Sequence, residues 1–277
     1  GSVFAVVSFT TLFLHIRPAY APPTLLTAEA IPPQAQAVQA RFGDVAELLA
    51  YELDPAEVRP GEAVRVTLYW RVLARTEHPY TLGIHVLGPD LEGYGMMNTF
   101  PGRGNYATTI WQPGTLFREV AWVVVQPKGP LPSQGRVSVA LFRESSPREN
   151  LPVYDRQGNL IGGSVIFGRL RLSPPPDQPV EPPPLARPVD IAFGPDGNIR
   201  LRSAEIIPEA SAPAGSLFTL TLVWQTERSL PDGQDVNIFV HLLDEEGTIV
   251  RQADEPLGGD AFPTSLWRAG DWVTTVH

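Results

Sequence analysis

Apolar and polar residues alternate in two separate stretches of this chain. Val64, Val66, Leu68 and Trp70 are interleaved with Arg65, Thr67, Tyr69 and Arg71, and Phe218, Leu220, Leu222 and Trp224 repeat the pattern. A period of two turns one face of an extended segment to a core and the other to solvent. Tyr80, Leu82, Ile84 and Val86 predict a following strand, and Val236, Ile238, Val240 and Leu242 predict its counterpart. Further strands are predicted over residues 46–53, 116–125, 136–142 and 166–172. Between them stand turn formers such as Asp54-Pro55, Pro60-Gly61 and Pro89-Asp90, whose backbones suit reversals of direction.

The resemblance between the two stretches extends past the alternation. From His85 to Trp111 is the same step as from His241 to Trp267, and within it Gly102 answers Gly258 and Thr108 answers Thr264. Upstream, Gly61 and Trp70 match Gly215 and Trp224 with a shift of two residues. A period of about 155 residues is the size of a domain rather than of a solenoid repeat. The expected fold is therefore all-β, with two tandem Ig-like or jelly-roll-like β-sandwich modules over residues 42–173 and 189–277. Residues 174–188 (PPPDQPVEPPPLARP) predict an extended, polyproline-type linker. His277 corresponds to Ala121, after which the first module uses about 50 more residues. The second module is accordingly expected to be truncated, without its closing strands.

Residues 3–16 (VFAVVSFTTLFLHI) are continuously apolar and end at Arg17-Pro18. These 14 residues are too few to span a bilayer, which takes about 20. No initiator Met or basic run precedes them, as a signal peptide would require. Residues 1–17 are expected to be the end of a transmembrane helix, the alternative being an ordinary buried strand or helix. Residues 18–41, rich in Pro, Ala and Gln, are expected to form a loosely ordered spacer, in which residues 34–42 could make a short helix.

Composition narrows the partners. A net charge of −9 and a pI near 5.1 argue against nucleic acid and anionic lipid. With no cysteine, disulfides and thiolate metal sites are excluded. Thirty prolines and 24 glycines suit a turn-rich β protein.

One stretch carries a family likeness. FVHLLDEEGTIVRQADEPLGGDAFPTSLWRAGD, residues 239–271, is similar to a motif in extracytoplasmic regions that follow the membrane core of bacterial C-type glycosyltransferases. Those enzymes resemble the dolichyl-phosphate-mannose mannosyltransferases. The earlier FGD…PGEAVRVTLYWRV looks like the same pattern more loosely, since Gln252, Asp254 and Pro263 have no like residue there. HIRPAYAPP resembles the exit from the last helix of that core. The resemblance implies a module on the extracytoplasmic side of the cell membrane, anchored through the N-terminal helix. Envelope glycan or lipid-linked sugar would be the partner of the parent enzyme. The family's catalytic carboxylates and lipid-phosphate sugar site belong to the membrane core, so no catalytic residue and no cofactor carries over.

Candidate chemistry centres on His85 and His241. Alternation turns each away from its Val/Ile face, where the loop ending in Trp111 or Trp267 could cover it. Two roles stay open: a His–Trp sugar site with the indole as platform, or an imidazole that pins the loop through its backbone. Asp254 joins the candidates, and with Asp260 near Gly258-Gly259 it is the one place where a folded loop could hold calcium. No zinc-protease, P-loop or nucleophile-elbow motif occurs. Three function classes remain: an accessory region of a membrane glycosyltransferase, a free-standing carbohydrate-binding or adhesive module, and a glycoside hydrolase.

Overall fold

The computed structural model describes residues 22–277 apart from 28–29, 146, 179, 195, 209–214 and 231–233. The expected end of a transmembrane helix, residues 1–17, lies outside the described residues. Among those described, no helix is long and apolar enough to cross a membrane. The structure is all-β. The chain divides into two compact units: among the described residues, the first takes in those up to Leu87 with Gly93–Lys128 and Arg136–Arg169, the second Gly88–Glu92, Gly129–Gly135 and Leu170–His277.

Strands run in chain order as β1 (Thr24–Leu26), β2 (Gln36–Phe42), β3 (Ala46–Asp54), β4 (Glu57–Val58), β5 (Ala63–Val72), β6 (Thr81–Leu87) and β7 (Gly93–Thr99). Next come β8 (Leu116–Val124), β9 (Ser133–Arg143), β10 (Glu149–Asn150), β11 (Val153–Tyr154), β12 (Leu160–Gly162) and β13 (Val165–Leu172). The last are β14 (Pro188–Phe193), β15 (Ile199–Ile207), β16 (Thr219–Thr226), β17 (Asn237–Leu243), β18 (Ile249–Pro256) and β19 (Trp272–Val276).

One sheet of the first unit has the order β1-β8-β5-β3-β2-β11-β12, and the other β4-β13-β9-β6-β7 with β10 beside β9. The predicted alternation decides which face is buried. Val64, Val66 and Leu68 of β5 and Leu82, Ile84 and Val86 of β6 are wholly buried, as are Val137, Val139 and Leu141 of β9.

The spacer expectation is corrected. Residues 36–42 are neither helix nor loose chain: β2 pairs with β3 from Gln36↔Tyr51 to Phe42↔Ala46, and β1 pairs with β8. The reason lies in a bulge between Ala37 and Ala40, where Gln39 takes φ +57°. A bulge adds a residue and breaks the period of two, so the alternation that marks a strand is lost from the sequence.

The second unit holds a four-stranded sheet, β14-β15-β16-β19, and a two-stranded one, β17-β18. Ile199, Leu201, Leu222, Trp224, Leu257, Phe262 and Trp267 form its core, with Ile238 and Val273 packed against them. Trp224 faces Val273 across β16 and β19, as Trp70 faces Phe117 across β5 and β8. Val273 follows Trp267 by the same step as Phe117 follows Trp111, so the repeat seen in the sequence is also one of strand register.

Candidate functional site

A loop clamp is built twice from the same residue types. A single 3-10 turn, Thr108–Ile110 or Thr264–Leu266, delivers the loop tryptophan into the core. The Trp111 indole N–H donates to the Tyr106 carbonyl at 3.0 Å, and that of Trp267 to the Phe262 carbonyl at 2.8 Å. The Thr108 hydroxyl accepts the Tyr80 N–H at 3.0 Å, and the Thr264 hydroxyl accepts that of Val236 at 2.9 Å. Both threonines thereby tie the loop back to the chain entering an earlier strand, β6 or β17. Gly102 and Gly258 have φ of +69° and +82°. A Cβ would strike Tyr106 in the first case and the Phe262 carbonyl in the second, so each turn admits glycine alone.

Both tryptophans are thus core residues, 2% and 0% exposed, and neither indole presents a face to a ligand. The structure does not place the histidines in these clamps. His241 is exposed on the β17-β18 hairpin, its Nε2 3.7 Å from Asp254 Oδ1, and Asp254 also accepts from Gln252 at 3.2 Å. Such an exposed pair contributes at most about 1 kcal/mol. Among the described residues no three His, Asp or Glu side chains come together as metal ligands.

His85 is the exception among the candidates. It is half-buried on the outward face of β6, between Met96 of β7 and Ser138 of β9, and its Nε2 is buried without a hydrogen-bond partner. It lines a cleft of about 360 Å³ together with Met96, Trp122, Val124, Gln126 and Lys128. Gly95 makes the cleft possible. A Cβ there would collide with the Val124 carbonyl oxygen, so only glycine lets β7 of one sheet run against β8 of the other. The Gln126 N–H donates to the Tyr94 carbonyl at 2.6 Å and closes that seam.

Trp122 supplies the aromatic surface that Trp111 cannot. Its side chain is 52% exposed. Arg65, directly opposite in the ladder, holds its guanidinium 5.9 Å from the ring centroid and is itself bonded to Asp54 at 2.8 Å. The half-exposed Trp122 ring and the unpartnered Nε2-bearing side chain of His85 thus line the same cleft. No family model matches the chain, and no curated protein shows significant similarity to it. The cleft must therefore be read from its own chemistry. Its signal was available: Arg118, Val120, Trp122 and Val124 share the outward parity of β8.

A second residue beyond the sequence candidates is Glu119, which lies on the inward parity of β8 and is 1% exposed. Its carboxylate accepts the Gly102 N–H at 2.5 Å and so holds the loop from the other end. Burial raises its pKa above the ordinary 4.5, while the N–H groups of Gly102 and Arg103 and the Arg103 charge pull it back. A lone raised carboxyl resembles a general acid, but glycoside hydrolysis needs a second carboxylate about 5–10 Å away. The small cleft beside Glu119 is lined otherwise by Pro22, Pro23, Thr24, Gly102, Arg103, Arg118 and Val120. Glu119 is a loop anchor.

The folded state holds the Glu119 proton more tightly than the unfolded chain does. Its stabilising contribution is therefore full below about pH 4.5 and declines as pH rises through the raised folded value. Glu119→Gln keeps an acceptor for Gly102 without a buried charge. Urea unfolding of the variant should show a flatter stability profile between about pH 4 and 7 than the parent chain. An identical slope in both would show that the carboxyl is not titrating there.

Proposed function

We propose that the chain is a non-catalytic, extracytoplasmic accessory region of a membrane-bound glycosyltransferase, and that the cleft beside Trp122 holds an acceptor glycan or lipid-linked sugar near the membrane core. The observation that carries the binding role is the exposed Trp122 indole next to the buried, unpartnered Nε2 of His85. A pyranose offers an apolar C–H face and a rim of hydroxyls. The indole, Met96 and Val124 suit the first, and His85, Gln126 and Lys128 suit the second. The link to a glycosyltransferase rests on the resemblance of residues 239–271 to the extracytoplasmic part of that family. The recurring Trp111 and Trp267 and the buried Glu119 are already engaged in pinning loops, which favours a scaffold with a binding cleft over a reaction centre.

The same cleft favours one other reading, a free-standing carbohydrate-binding module of the cell surface. The two separate on the reading frame upstream: a run of hydrophobic helices supports the accessory region, a lone signal peptide the free module. Binding itself is tested by titrating envelope polysaccharide fragments into the chain while following tryptophan fluorescence. Trp122→Ala should weaken binding by about tenfold or more, roughly 1.4 kcal/mol, with an unchanged melting temperature. Equal affinity in the variant would remove the cleft from the account.

A further inference from the structure

We propose that the Trp122 cleft does not end at His85 but continues over the outward face of β6, β9 and β10 as one groove, and that its occupant is an oligosaccharide bearing carboxylates, of the uronic acid class. This rests on the sugar reading of the Trp122 cleft and adds to it the length and the charge of the ligand. A second cleft, of about 200 Å³, has His85 in common with the first, and both lie within the first unit.

Small residues make the second cleft. Side chains alternate along a strand, so Gly83 and His85 of β6 share the outward face with Ser138 and Ala140 of β9. The ladder sets Gly83 against Ala140 and His85 against Ser138. Gly83, Ser138 and Ala140 are too small to fill that face, which leaves a depression. Phe142 walls it. A Cβ at position 83 would stand 3.0 Å from the Phe142 ring, so the missing side chain lets the ring lie close over β6. Arg148 in turn holds its guanidinium 4.1 Å from the Phe142 ring centroid, a cation–π contact that fixes the charge beside the cleft. At the far end the Asn150 amide is held by its donation to the Gly163 carbonyl at 3.1 Å.

Charge gives the class of the occupant. The chain carries 30 acidic residues against 21 basic ones, and Lys128 is its single lysine. Yet among the described residues no Asp or Glu lines either cleft, while Lys128 stands in the first and Arg148 in the second. Glu144, the ion-pair partner of Arg148, is exposed and 3.8 Å away, outside hydrogen-bond reach. The guanidinium therefore keeps its planar fork for a ligand carboxylate. Length gives the rest. Neighbouring strands are about 4.8 Å apart, so the path from Met96 on β7 across β6 and β9 to Asn150 on β10 is roughly 14 Å. One pyranose ring does not cover that path, and a short chain of them does.

The test is isothermal titration calorimetry of the full chain with galacturonic acid oligomers of increasing length and with the matching neutral galactose oligomers. Affinity for the uronates should rise with length and exceed that for the neutral series by about tenfold or more, the excess shrinking as salt is added. Arg148→Gln, at a side chain 50% exposed, should remove that excess and leave the melting temperature and the neutral series unchanged. Trp122→Ala should weaken both series. Neutral and uronate oligomers bound alike, and alike lost in Trp122→Ala, would overturn the anionic groove while leaving the sugar reading of the Trp122 cleft intact. Uronate binding that needs Arg148 but not Trp122 would overturn the single groove and that reading together, as would no binding of either series. Oligoglutamate bound as tightly as the uronates would overturn the proposal in favour of an acidic peptide.

Discussion

Asp271→Ala should destabilise the second unit by about 3–5 kcal/mol, because it strands a buried guanidinium. Arg171 and Asp271, both in the second unit, have side chains only 4% and 9% exposed. The two Nη atoms of Arg171 reach the Asp271 carboxylate at 2.8 and 2.9 Å, and one also donates to the Leu266 carbonyl at 2.6 Å. Its Nε donates to Ser173 at 2.8 Å, while the Asp271 carboxylate also accepts the Arg268 N–H at 2.7 Å. Truncating Asp271 removes the countercharge and leaves the rest of the cage facing an unneutralised cation. The outcome is read as a fall in the urea midpoint of the full chain. By contrast, the exposed cluster of Arg200 and Arg202 with Asp190 and Glu227 has comparable distances, yet Asp190→Ala should cost no more than about 1 kcal/mol. The difference is solvent: water replaces the lost partner at the surface and cannot in the interior. Equal effects at Asp271 and Asp190 would show that the buried pair is not held as described.

Trp267→Ala should cost the same unit about 3–5 kcal/mol. The indole is 0% exposed, packs against Phe262 at a centroid distance of 6.3 Å and satisfies the Phe262 carbonyl. Its loss opens a cavity and frees the loop from Pro256 to Gly270 at one stroke. Trp267→Phe separates the two contributions. It keeps an aromatic ring in the core but removes the N–H donor and part of the indole volume, so about 1–3 kcal/mol is expected. Thermal unfolding followed by near-UV circular dichroism distinguishes the variants. A Phe variant as damaged as the Ala variant would show that a phenyl ring recovers none of the packing and that the indole N–H and outer ring carry the effect.

These expectations differ from those that residue patterns alone suggest. The two histidines stand out in the sequence because they recur, and their spacing to the tryptophans invites a His–Trp pair. In the folded chain the loop is held by Trp267, Thr264 and Gly258, and by Trp111, Thr108, Gly102 and Glu119. Recurrence marked a structural device correctly and picked the wrong partner within it.

The all-β class and the buried parity of β5, β6, β8, β9 and β16 were determined by the sequence itself. So were the doubling of the Gly–Thr–Trp loop and the positions of most turns. Each follows from a local rule: side chains on a strand alternate, and positive φ selects glycine. What only the tertiary structure decided depends on neighbours far away in the chain. The bulge at Gln39 erased the local rule for β2. Parity placed Trp122 on the outward face of β8, but only the seam at Gly95 put His85 beside it. Arg171 met Asp271 across 100 residues of sequence. A sequence period specifies which way a side chain points, and the fold alone specifies what stands there to meet it.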